Sequence, residues 1–162
     1  MNPSTLSFQF NSPEVLFKAG QSDLTPKFKE ILNDFFPRYI DILKNEEYKD
    51  YISAIQIEGH TSSEWGENSE ELFAYIKNMD LSQSRSSKVL AYVLKMDGIG
   101  NVDIWTRNRI SSIGYSSSQL KYKEEGEQIQ QLIEDKKSSR RVAFRIVTDA
   151  ELRLDQISSA NI

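Results

Sequence analysis

The single histidine of the chain, His60, lies in the stretch IEGHTSSEWG, followed at once by Thr61, Ser62, Ser63 and Glu64. A base, two hydroxyls and a carboxylate are the residue types of a hydrolase triad. Adjacent loop residues seldom reach one another in nucleophile–base–orienter geometry, however, and no G-x-S-x-G elbow is present. Metal chemistry is served no better. There is no second histidine and no cysteine, and the carboxylates lack ligand spacing. His60 follows a strand-like run, where such a residue is expected to bond the backbone and hold the turn. The reading is of a non-enzymatic chain without cofactor or metal.

A second candidate chemistry starts from Arg85, in LSQSRSSKVLAYVL. With Ser82 as N-cap, Arg85 falls in the first turn of a helix, where a capping box prefers Glu or Gln and a cation opposes the helix dipole. Arginine is locally the wrong choice for stability. A helix N-terminus beside a guanidinium fork is, conversely, a good carboxylate receptor. The alternatives are an ion pair with Asp80 or Glu64, or a side chain splayed into solvent.

These residues must be positioned by a chain of 162 residues, 38% apolar and 27% charged, which suits one soluble domain with a single core. A formal net charge of −4 argues against a nucleic-acid surface. No apolar run approaches the roughly 20 residues that span a bilayer, and MNPSTLSF is not a signal peptide. Any exporting or anchoring element is expected to lie outside this sequence. LSFQFNS alternates as a strand, and PEVLFKAGQSDL reads as a loop. Thr25 and Pro26 are the N-cap and first residue of a long helix to about Lys44, with Phe28, Ile31, Leu32, Phe35, Tyr39, Ile42 and Leu43 as its stripe. Pro37 should kink or interrupt it. YISAIQIEGH is a second strand with Ile55 and Ile57 facing the core. Residues 61–80 give a weak signal, with a short helix in SEELFAYIK. A second helix covers Leu81–Met96 on Val89, Tyr92, Val93 and Met96, closed by DGIG. RISSIGY is a third strand, EEGEQIQQLIEDKK a polar helix, SRRVAFRIVT the last strand, and AELRLDQISSANI a helical tail. The order β-α-β-α-β-(α)-β predicts an α+β two-layer sandwich with a mixed sheet covered by helices on one face.

IQIEGHTSS, NMDLSQSRSSKVLAYVL, ISSIGYSS and SSRRVAFRI resemble, in this order, the peptidoglycan-binding domain shared by OmpA and MotB C-terminal regions, whose pattern runs roughly G-H-T-D, Y-N-x-x-L-S-x-x-R-A, G-x-G and N-R-R-V. The likeness extends from Phe8 to about Val147, within a domain of residues 1–150 that carries an insertion at about 63–78 and is followed by a tail, 151–162. The opening segment, the GHTSSEW loop and the insertion look most like a MotB-like subgroup that includes the MotB-like subunit of Zorya anti-phage systems.

The resemblance implies a periplasmic domain of an inner-membrane-anchored protein, binding the diaminopimelate-bearing stem peptide of peptidoglycan. It also implies a MotA-like membrane partner reached through an N-terminal segment outside this sequence, and a homodimer. Carried over, Arg85 is the arginine that grips diaminopimelate, Asn78 the motif asparagine, and Leu81 and Ser82 the motif leucine and serine. Thr61, Ser62 and Ser63 form the binding loop. Arg140 and Arg141 match the paired arginines, one facing the groove and the other packing outside it, with Ser139 in place of asparagine. Two departures matter. Ser62 stands where the family has the aspartate that receives the ligand's ammonium, and Lys77 where tyrosine is usual. Glu64 or Glu67 could return the carboxylate, or the hydroxyls could bond the ligand. Loss of that aspartate also fits an interaction or dimerisation module on the same fold that has given up wall binding.

Overall fold

A computed structural model of the chain describes residues 6–66, 69–96, 103–123 and 133–149. Four strands form one open mixed sheet in the order β1-β4-β2-β3. They are β1 (Ser7–Phe10), β2 (Ile52–His60), β3 (Ile110–Gly114) and β4 (Arg141–Thr148). β4 lies antiparallel between β1 and β2, and β2 runs parallel to β3 across an intervening helix. The mixed α+β architecture read from the sequence is the one observed.

The helices are α1 (Pro13–Leu16), α2 (Pro26–Leu43), α3 (Glu71–Leu94), α4 (Ile104–Arg107) and α5 (Lys136–Ser139). Thr25 caps α2, its hydroxyl accepting from the Phe28 amide at 3.0 Å, with Pro26 in the first turn, where its missing N–H costs nothing. Phe28, Leu32, Phe36, Tyr39, Ile40 and Leu43 of α2 are buried. They share one core with Val89 and Val93 of α3 and with Ile55, Ile57, Val142 and Phe144 of the sheet. Rings from β1, α2 and β4 interlock edge to face around Phe144, whose centroid is 5.2 Å from that of Phe35 and 6.0 Å from that of Phe10. Such pairs add to burial alone.

Several expectations need correction. α2 passes through Pro37 without interruption, because packing of its apolar face outweighs the one backbone bond that proline removes. Ile42, assigned to the core stripe, is 58% exposed, while Phe36 and Ile40 are buried. The loop PEVLFKAGQSDL contains α1 and closes through a bridge between Phe17 and Leu24. The short helix and the Leu81 helix are one continuous α3 of 24 residues. DGIG, most of the polar EEGEQIQQLIEDKK segment, Glu67 and the tail lie outside the described residues.

α3 lies close on the sheet because two glycines let it. Gly59 and Gly114 sit side by side as register partners on β2 and β3. A Cβ on Gly59 would stand 2.2 Å from the Ser82 carbonyl oxygen, and one on Gly114 would stand 2.5 Å from the Gln83 amide nitrogen. The helix answers with small residues, Ser82 and Ser86, both fully buried. Side-chain bonds lock the contact. The Gln83 Oε1 accepts from the Gly114 amide at 2.7 Å, and the Ser82 Oγ accepts from the Ser116 amide at 3.0 Å.

Candidate functional site

Where β2 ends, a cavity of about 480 Å³ opens between the loop after the strand, α3 and the segment around α1. Thr61, Ser62, Asn78, Leu81, Arg85 and Arg140 line it, together with Glu14, Phe17, Glu64 and Trp65. Three of the sequence-predicted site residues stand elsewhere. Ser63 is turned outward and holds Glu134, its Oγ donating at 2.5 Å and its amide at 3.1 Å. Ser82 is sealed under α3, its Oγ donating to the Met79 carbonyl at 3.0 Å. Arg141 is buried outside the cavity and donates to the Ser139 and Gln119 carbonyls at 3.1 and 3.2 Å. Of the arginine pair, Arg140 is the one that borders the cavity.

Arg85 does not stand at a helix end. Because α3 begins at Glu71, Ser82 is no N-cap and Arg85 is not in a first turn, so the helix dipole gives the site no positive end. Arg85 is instead 8% exposed in the middle of α3, paired with neither Asp80 nor Glu64. Its Nε donates to the Gln21 carbonyl at 2.9 Å and its Nη2 to the Lys18 carbonyl at 3.4 Å. Its guanidinium lies 4.7 Å over the Phe17 ring. Burial, with Arg140 nearby, lowers its pKa to about 10. It therefore stays protonated at neutral pH, a desolvated cation with carbonyl and ring partners but, among the described residues, no carboxylate.

Asn78 positions the loop. Its two amide hydrogens go to the Ser62 and Glu64 carbonyls, each at 3.1 Å. Glu64 returns a carboxylate to the cavity, but Lys136 takes its Oε2 at 2.5 Å, with the Arg140 Nη1 3.9 Å from Oε1. Ser62 is 3% exposed. Among the described residues the buried Thr61 Oγ1 and Arg140 Nε find no hydrogen-bond partner, a costly condition that a bound polar group would relieve.

Sequence reasoning passed over Glu14, Phe17 and Trp65. Phe17 carried a signal: Ser-Pro ahead of an acidic residue and three apolar ones marks a helix start, and such a helix could have placed it.

His60 belongs to a different site. It ends β2 opposite Arg141 in the β4 register, bonds the Glu58 Oε2 through Nε2 at 3.1 Å and stacks on Tyr115 at 5.1 Å. Among the described residues its ring makes no bond to the backbone, so it does not fix the turn as expected. Among the described residues no hydrogen bond joins it to Ser62 or Ser63, so a triad does not form. Burial holds its pKa below the ordinary 6.5, outweighing the Glu58 bond that raises it. Below that value the unfolded chain binds the proton more readily than the folded one, so stability falls as pH drops from about 6.5. Melting curves at neutral and mildly acidic pH are expected to show a smaller acid shift for His60→Gln than for wild type.

Among the described residues no helix is long and apolar enough to cross a membrane, and no cluster of histidines and carboxylates could hold a metal ion.

The fold is similar to the periplasmic domain of Helicobacter pylori MotB (TM-score 0.59, 15% identity, 95% of this chain and 89% of that one). It also resembles the cell wall anchor of the type VI secretion system of Pseudomonas aeruginosa (TM-score 0.51, 16% identity, 88% and 81%). In sequence it is 41% identical over 157 residues to the Zorya protein ZorB of Escherichia coli (strain Crooks), covering 97% of this chain and 63% of that protein. The chain thus spans less than two thirds of that relative's length. Residues 16–141 match the OmpA family, and with the strand order, the glycine-seated helix and the cavity at the end of β2, the chain belongs to that family.

Proposed function

We propose that this domain is a non-enzymatic anchor that binds peptidoglycan through the diaminopimelate stem peptide. In the parent protein it would be held in the periplasm by an inner-membrane segment and work as a dimer beside a MotA-like subunit in an anti-phage assembly. The observation that carries the reading is Arg85, a buried guanidinium with no carboxylate partner among the described residues, on the wall of a cavity large enough for an amino-acid end. A ligand carboxylate would supply the missing counter-charge in a desolvated place, where a charge-assisted bond is strongest. Arg140 adds positive potential, Asn78 holds the loop, and Leu81 and Phe17 give apolar walls. The similarity to ZorB supports the anti-phage setting, and the MotB and secretion-system anchor folds support wall attachment.

Purified chain is expected to sediment with isolated sacculi. Arg140→Ala removes a half-exposed cation and is expected to weaken retention about five-fold, corresponding to about 1 kcal/mol. Absence of sedimentation would overturn the reading.

One observation favours the second reading, an interaction module that has lost wall binding: Ser62 is neutral, and Glu64 is already held by Lys136. On that reading sacculi leave the chain in the supernatant while it still self-associates.

A further inference from the structure

The charges around the cavity are unequally matched. Among the described residues its carboxylates already have cations: Glu64 holds Lys136 at 2.5 Å and Arg140 at 3.9 Å, and the Glu14 Oε1 lies 3.9 Å from the Lys137 Nζ. Arg85 has no carboxylate partner among the described residues. An entering carboxylate gains a desolvated guanidinium. An entering ammonium gains less, because Glu64, the described carboxylate it would meet, is already matched by Lys136 on Oε2 and has Arg140 near Oε1. The other polar groups at hand, the Ser62 and Thr61 hydroxyls and the Arg140 Nε, are suited to a neutral amide, since hydroxyls both donate and accept. Thr61 Oγ1 and Arg140 Nε are buried without partners among the described residues, and Ser62 is 3% exposed.

We infer that the cavity recognises a carboxylate without requiring a charge on the neighbouring nitrogen, so that an N-acylated amino-acid end serves as well as a free one. It then accepts the diaminopimelate of a cross-linked stem, where the amine has become an amide, as readily as that of a free stem. This deepens the stem-peptide reading and rests on it. Ser62 is the specificity-determining position: a carboxylate there would demand the ammonium, and a hydroxyl does not.

The test uses the purified chain with three preparations of sacculi: untreated, N-acetylated with acetic anhydride, and amidated at their carboxylates. Retention on acetylated sacculi is expected within about two-fold of that on untreated sacculi, with retention lost on amidated sacculi. A ten-fold or greater loss on acetylation, or undiminished retention after amidation, would overturn the inference while leaving wall binding intact. Failure on untreated sacculi would end the anchoring reading and this inference with it. Ser62→Asp, checked for an unchanged melting transition, is expected to bind untreated sacculi at least ten-fold better than acetylated ones. Equal binding to both by a folded Ser62→Asp would also count against the inference. Should that variant not fold, the wild-type ratios decide.

Discussion

Gly59→Ala is expected to lower stability by about 3 kcal/mol, the upper end of what overpacking costs, although it adds a single methyl group. The added carbon would stand 2.2 Å from the Ser82 carbonyl oxygen and 3.0 Å from its carbonyl carbon. Both are backbone atoms of a 24-residue helix, so no side chain can swing aside and α3 itself must move. Retreat of α3 would also strain the bonds that tie Ser82 to Ser116 and Gln83 to Gly114. For a domain of this size, the melting temperature should fall by roughly 6–12 °C. Ligand retention should fall too, because α3 carries Arg85 and Asn78. A melting temperature within two degrees of wild type would show that α3 does not approach the strand as described.

The second large effect separates binding from folding. Arg85→Met keeps most of the side chain's volume while deleting its charge. Removing one partner of a desolvated charge pair costs about 2–5 kcal/mol, so retention on sacculi should drop roughly thirty-fold or more. Stability should stay within about 1 kcal/mol of wild type. The variant loses two bonds to carbonyls and the contact with Phe17, but it is relieved of a buried cation that no described carboxylate neutralises. Equilibrium denaturation beside sacculus sedimentation reads both quantities. Loss of both together would make Arg85 a structural residue.

The pattern of successes in the sequence reading has a physical cause. β1, β2 and β4 were legible because their inward positions are apolar and alternate, and α2 was legible from its cap, its proline and its stripe. The start of α3 was hidden because its first turns invert the usual pattern. Leu72, Phe73 and Ile76 are exposed there, while Ala74 and Asn78 are buried. Amphipathic spacing therefore points to the wrong face, and Ser82 looks like a cap. Ile42 was misplaced for a related reason: several apolar positions of α2 compete for a stripe, and only packing against Phe144 and Val142 selects among them. Arg85 and Arg140 were legible as charged residues in a recognisable order. The α1 segment that closes the cavity over them was not, since a four-residue helix leaves almost no periodic signal.

The arrangement of the central strands has a mechanical consequence. β2 and β4 are antiparallel neighbours, so Thr61 and Ser62, just beyond the end of β2, and Arg140, just before the start of β4, emerge at the same edge of the sheet. Pulled alone, two strands gripped at one shared end would unzip a bond at a time. Here the Thr61 amide is tied to the Ser116 carbonyl beyond β3 at 2.9 Å, and Arg85 lies on α3, seated across β2 and β3 at the two glycines. A tug on whatever occupies the cavity is thus divided among the two central strands and a rod some 36 Å long at 1.5 Å per residue. The sheet is loaded as a whole instead of peeling from one corner.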